Sequence, residues 1–274
     1  MTVFETLQQT QRPRVSDGAS IPVLEAPAAP RYWLVLLWPQ LGDFDSLEYA
    51  WWLRRDTDRL QALGVAVRAI GIGDRAAGQR FCQYTRFPSE HLLVDATADL
   101  HQTLGLYPGL TWGWPGLKPG RRAWANLMLM CAGIASPGTL REVLRGYTGD
   151  RRAPQLFQDD EVIDDTPLPS LKGAFFRYAG GQGFQRPFEL ATLRLRNMTE
   201  VLSHWSTYVP NPAYLTQRGG TFLFDDQGTL LYEHRDRAIL GFAEQMSRPL
   251  SFLDLLTSHH QSPLTPETPS LSHP

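Results

Sequence analysis

Residues 33–53 read WLVLLWPQLGDFDSLEYAWWL, and the fold turns on them. An unbroken apolar run is closed by Pro39, a short polar loop follows, and then a helical pattern begins. That order predicts a buried central strand handing its C-terminal end to a helix N-terminus, the place in an α/β sheet where ligands and reactive groups collect. Asp45 with Glu48 three residues later predicts a capping box at the helix start. Leu47, Ala50, Leu53, Thr57 and Leu60 then recur at steps of three and four, and Gly64 offers a left-handed stop.

Working outward, VAVRAIGIG at 65–73 is a second β-rich run, residues 74–87 read as a helix stopped by Pro88, HLLVD at 91–95 is a third strand, and 98–106 a third helix. Strands and helices alternating at this spacing predict right-handed βαβ units and a parallel sheet. Far downstream, TFLFDDQGTLLYEHRD at 221–236 predicts an antiparallel hairpin around Asp226-Gln227-Gly228. Ahead of the sheet, the turn signal Asp17-Gly18 predicts a small hairpin.

The stretch from Pro39 to Ser46 resembles the active-site segment of peroxiredoxins, whose motif runs from a proline to a threonine four positions on and a peroxidatic cysteine three further. Counted from Pro39 without gaps, the threonine position holds Asp43 and the cysteine position holds Ser46, with an aromatic, Phe44, between them. The resemblance also implies a catalytic arginine just before TFLFD, where Arg218 stands. Together with MCAGIASPGTLREVLRGYTGD and GFQRPFELATLRLRNM, nearly the whole chain resembles the peroxiredoxin-like, AhpC/TSA-related family of cyanobacteria and plastids. It implies an α/β, thioredoxin-like central sheet flanked by helices, with a large, mainly helical insertion. The expected division is a discontinuous thioredoxin-like domain at 1–107 and 218–252, an insertion at 108–217 and a disordered tail at 253–274. The likeness further implies a cytoplasmic or stromal protein with a thylakoid association.

Composition narrows the classes. At 274 residues with 42% hydrophobic content the chain can bury a large core, and a net charge of −2 with scattered basic residues gives no footprint for nucleic acid. The N-terminal residues lack the basic start and apolar core of a signal peptide, and the longest apolar run, near 123–135, is shorter than the ~20 residues of a membrane span. A soluble protein is expected, able to associate peripherally with a membrane. Two cysteines, Cys82 and Cys131, form no CxxC pair, and His101, His204 and His234 share no spacing, so no cofactor or metal is assigned.

Each site reading has a plainer rival. Ser46 is a nucleophile only with a base beside it, and a helix-start serine is the simpler reading. Asp43 and Asp45 likewise read as cap and loop residues. Cys82, in FCQYT, is either a buried small hydrophobe or a relocated redox thiol; Cys131, in LMLMCAG, reads as core. The Gly-rich loop at 180–184 with Arg186 reads as a flexible approach to a helix rather than an anion nest. A helix from Ser136-Pro137 and another from Pro187 to about Tyr208 are predicted in the insertion. In the second, Phe188, Ala191, Leu195, Met198, Leu202 and Trp205 form a stripe expected to pack inward, while Leu193 with Trp112 and Trp114 is the candidate partner-binding patch. Two functions remain: a non-catalytic binding or assembly protein whose insertion meets a protein partner, and a thiol oxidoreductase using Cys82.

Overall fold

The structure is a computed structural model, and it describes residues 1–26, 29–164 and 168–258. It opens with α1 (Val3–Gln9), β1 (Gln11–Pro13) and β2 (Ser20–Pro22), the last two forming the small antiparallel hairpin expected around Asp17-Gly18. The core then follows as β3 (Tyr32–Gln40), α2 (Phe44–Arg55), α3 (Thr57–Ala62), β4 (Val65–Ile72), α4 (Arg75–Thr85), β5 (Leu92–Asp95) and α5 (Asp99–Thr103). A mainly helical stretch follows, with α6 (Pro119–Cys131), α7 (Thr139–Thr148), a two-residue pair of strands, β6 (Val162–Ile163) and β7 (Leu171–Lys172), then α8 (Glu189–Ser203) and α9 (Trp205–Tyr208). The chain returns to the sheet through β8 (Gly220–Asp225) and β9 (Leu230–Arg235) and ends its described part in α10 (Asp254–Ser258).

The central sheet has five strands in the order β5-β4-β3-β8-β9. β3 runs parallel to β4 and antiparallel to β8, so both of its edges are paired, and all nine of its residues are buried. Alternation divides them between two cores. Leu34, Leu36 and Trp38 face Leu47, Ala50, Phe81, Leu190, Leu193 and Val201 on α2, α4 and α8. Trp33, Val35 and Leu37 face Leu7, Leu100, Leu104 and Phe222 on the other side. Each such aliphatic side chain contributes ~1.5–3 kcal/mol by leaving water, which is why a strand apolar on both faces is held at the centre of a two-sided sheet. The β8–β9 turn is closed by Gly228 at φ +81°, where an L side chain would be strained.

Three local expectations are corrected. The α7 helix starts at Thr139 behind Gly138, because Ser136 turns away and receives Ile239 N at 2.7 Å while sharing a hydrogen bond with Thr139 Oγ1. The tail expected to be disordered from 253 begins in helix instead: Leu253 and Leu256 are buried in the main core, and the rest of that stretch, 259–274, lies outside the described residues. The third correction concerns α8, whose expected stripe faces outward. Phe188, Leu195, Met198 and Leu202 are exposed, whereas Leu190, Leu193, Asn197 and Val201 are buried against α2 and α4. Leu193, at 4% exposure, is therefore a core residue and no part of a surface patch. Among the described residues, no helix is long and apolar enough to cross a membrane.

Candidate functional site

The C-terminal end of β3 is the structural focus the sequence pointed to. Pro39 has no N–H to give to a ladder, and the β3–β4 register shifts between Trp38 and Gln40. The chain turns through Leu41-Gly42 into α2, whose N-cap is Asp43: its carboxylate accepts from Asp45 N at 3.0 Å. The capping box expected from Asp45 and Glu48 is not formed, because both carboxylates are used elsewhere. Asp45 points inward and accepts from Leu240 N at 2.7 Å and Gly241 N at 3.4 Å, and Glu48 pairs with Arg194 at 2.7 Å.

Arg218 reaches this place from just before β8, the strand paired with β3, and is fully buried. Its Nη2 donates to Asp43 Oδ2 at 2.5 Å, its Nε donates to the Thr216 carbonyl at 3.1 Å, and its Nη1 lies 3.6 Å from Asp45. Gly219 makes the approach possible, since a Cβ there would stand 2.2 Å from the Leu37 carbonyl oxygen and 2.9 Å from Pro39 Cδ. Three aspartates, Asp43, Asp45 and Asp236, thus share one guanidinium. Burial, and then the charge of Asp43, pushes the Asp45 carboxyl well above its usual range. Burial also lifts Asp236 to about 8 against the opposing pull of Arg218. The guanidinium itself is held protonated: burial disfavours its charge, and Asp43 and Asp45 more than restore it.

Ser46 sits in the first turn of α2 with no exposed surface, and its hydroxyl donates to the Gln40 carbonyl at 3.2 Å. A carbonyl cannot take a proton, so this contact does not activate an oxygen nucleophile. The structure therefore brings Pro39, Asp43, Ser46 and Arg218 together as the motif implied, with a serine where that motif has its thiol and a carboxylate against the arginine.

The two thiols both pack at the edge of a core, in different surroundings. Cys82 lies on α4, half-buried beside the main core, and burial, aided by Glu90, pushes it up to about 12. At that value almost no thiolate exists at neutral pH, which argues against a redox role for it. Cys131, read from the sequence as core, lines the cavity above Asp43, where burial and then the Asp43 charge push it up to about 11. No local signal ties Cys131 to Asp43, which is why sequence reasoning missed it.

That cavity, about 340 Å³, is walled by Phe44, by Trp124, Leu127 and Met128 from α6, by Met198 and Leu202 from α8, and by Trp205, with Gln40, Gly42 and Asp43 also lining it. Trp205 is half-buried and packs against Trp124, the two rings tilted by 30° with centroids 4.8 Å apart. The other two candidate tryptophans stand at the start of the helical stretch. Trp112 is exposed, and Trp114 donates to Asn126 Oδ1 at 2.8 Å. The Gly-rich loop at 180–184 gains no free cation from Arg186, which is fully buried and bound to Glu189 at 2.6 Å and Asp159 at 2.9 Å. Among the described residues, no three His, Cys, Asp or Glu side chains gather as a metal site.

A mixed sheet with its active strand at the centre, followed by a loop and a helix N-terminus that meets a buried arginine, defines a thioredoxin-like α/β protein. Residues 52–238, more than half of the chain, match the family model described as AhpC/TSA antioxidant enzyme, and the chain belongs to that family. The matched region starts after Ser46, so it holds Arg218 and both cysteines but not the Pro39–Ser46 loop. No match is found among curated proteins.

Proposed function

We propose that this protein is a member of the AhpC/TSA lineage that has left peroxide chemistry and acts as a non-catalytic binding or assembly protein. The observation that carries this reading is the Arg218–Asp43 pair at 2.5 Å beside a buried Ser46. An arginine that is to hold a peroxide must turn its donors to the thiol site, and here Asp43 takes Nη2 while Nη1, without a hydrogen-bond partner, lies 3.6 Å from the Asp45 carboxyl. A serine hydroxyl gains no ionised population comparable to a thiolate, whose reference pKa is ~8.5 and falls at a helix N-terminus.

The outward apolar surface of the helical stretch supports a protein partner. Leu140, Leu144 and Tyr147 on α7 and Leu195 and Leu202 on α8 are exposed, and the two helices pack on each other, with the Tyr147 and Phe188 rings 6.3 Å apart. Apolar surface gathered on adjacent helices is the usual mark of an interaction site. The likeness to cyanobacterial and plastid proteins adds a photosynthetic setting, in the cytoplasm or stroma with the partner at the thylakoid.

The test has two arms. Hydrogen peroxide consumption with dithiothreitol should not exceed the protein-free rate, and turnover abolished by Ser46→Ala or Cys82→Ser would overturn the reading. The double variant Leu144→Asp/Leu195→Asp should stay folded and lose the partner that the wild-type chain retains on affinity capture. Retention of that partner by the folded variant would remove this face from the proposal.

A further inference from the structure

We infer that the cavity between α6, α8 and the Asp43 loop is a binding site for a small hydrophobic molecule bearing one hydrogen-bond donor, of the phenol type. This goes beyond the protein-binding reading and does not depend on it.

The walls set the first half of that chemistry. Indole rings from Trp124 and Trp205, the Phe44 ring and the thioethers of Met128 and Met198 surround a space of about 340 Å³. That is within the size range of small-molecule sites, and methionines on two facing helices let such a wall adapt to its occupant.

The floor sets the second half. Gln40 lines the cavity, is 3% exposed, and donates through Nε2 to the Asn211 carbonyl. That carbonyl accepts only, so the amide is fixed with its nitrogen toward Asn211, and Oε1 is left buried with no hydrogen-bond partner. A buried acceptor without a partner costs ~1–3 kcal/mol, which a ligand O–H or N–H recovers on binding. Asp43, the other polar group at this end, presents a carboxylate whose contacts with Arg218 and Asp45 N leave further lone pairs open. The two acceptors at the floor, one of them buried without a partner, favour a ligand that donates there. The Asp43 charge is already matched by Arg218, so the site has no use for a second cation. The Cys131 thiol in the lining is neutral at physiological pH and adds no charge, and the Trp124 and Trp205 indoles are uncharged.

The test is calorimetric titration of the full chain with 4-propylphenol and with its methyl ether, 4-propylanisole. The two differ in one donor and little else. The phenol should bind at least tenfold more tightly, a difference of ~1.4 kcal/mol. Leu202→Trp, which places bulk at the exposed rim of the cavity, should abolish phenol binding while leaving thermal stability unchanged. Equal affinities for the two compounds, or no binding of the phenol at millimolar concentration, overturn the proposal. So does phenol binding that is undiminished in the folded Leu202→Trp protein. Because the paired ligands are compared on the wild-type chain, a variant that fails to fold leaves the central comparison intact.

Discussion

β3 and α8 are both rich in leucine, yet they treat their apolar residues in opposite ways. In β3 every side chain is buried and the burial pattern is simply the composition. In α8 three large apolar residues, Leu195, Met198 and Leu202, are exposed, while Glu189, Arg196, Asn197 and Glu200 are buried with Leu190, Leu193 and Val201. The charges are tolerated inside because each nearby pair is closed: Arg186 to Glu189, Arg194 to Glu48 and Glu142, and Arg80 to Glu200 at 2.6 Å. The sheet is thus held by transfer of apolar surface, and the helix is docked on it by Leu190, Leu193 and Val201 together with charge pairs, which leaves its other apolar residues outside. Leu195 and Leu202, which the core does not use, are the leucines this helix can present to a partner.

The strongest break of this comparison is a pair of neighbouring substitutions. Leu193→Asp puts an unpaired carboxylate into the core and should cost at least ~4 kcal/mol, enough to unfold much of the population. Leu195→Asp, two residues away at 48% exposure, should change stability by no more than ~0.5 kcal/mol. Urea unfolding of both variants checks this, and similar midpoints would show that the two faces of α8 have been wrongly distinguished.

The next effect is that of Arg194→Met, which leaves Glu48, fully buried, without its cation, while Glu142 keeps Arg145 at 2.6 Å. Removing one partner from such a cluster costs ~3–5 kcal/mol. A loss below 1 kcal/mol in the same urea assay would mean that packing, rather than charge, docks α8.

These two elements also show what was legible in the sequence. The strands, the β8–β9 hairpin and the meeting of Asp43, Ser46 and Arg218 follow from period, turn residues and motif order, all of which are local or family signals. The orientation of α8 was not legible, because two stripes at helical spacing run along it. The choice between them rests on Glu48, Glu142 and Arg80, residues far away in sequence. For the same reason Asp45 read as a cap: its true partners, the Leu240 and Gly241 amides, lie beyond the helical stretch. Trp205, read as a stripe residue that would bury its ring, is half-buried on Trp124 at the cavity wall.

A smaller effect comes from pH. Asp236 titrates near 3.8 when unfolded and at about 8 in the fold, so the folded chain holds the extra proton. Its contribution to stability is complete below the lower value and is lost as pH rises through the upper one. Asp45 acts in the same direction. His101 opposes them: burial lowers it to about 4 from 6.5, so stability falls as pH drops through that window. Above pH 6.5 only the aspartate effect remains. Melting temperature should therefore fall by about 2–4 °C from neutral pH to pH ~9, and Asp236→Asn should flatten the decline. A wild-type melting temperature that rises over that range would contradict the assignment of the buried proton.

The central claim is that Asp43, by occupying Arg218, closes the ancestral chemistry as firmly as the missing thiol does. Steady-state peroxide reduction by Ser46→Cys, measured beside Asp43→Thr/Ser46→Cys, tests it most directly. The single variant gains a thiol next to a carboxylate that opposes its ionisation and keeps the guanidinium engaged. The double variant frees Arg218 and should turn over peroxide at least ~10-fold faster, the equivalent of ~1.4 kcal/mol. Equal rates for the two would contradict the account.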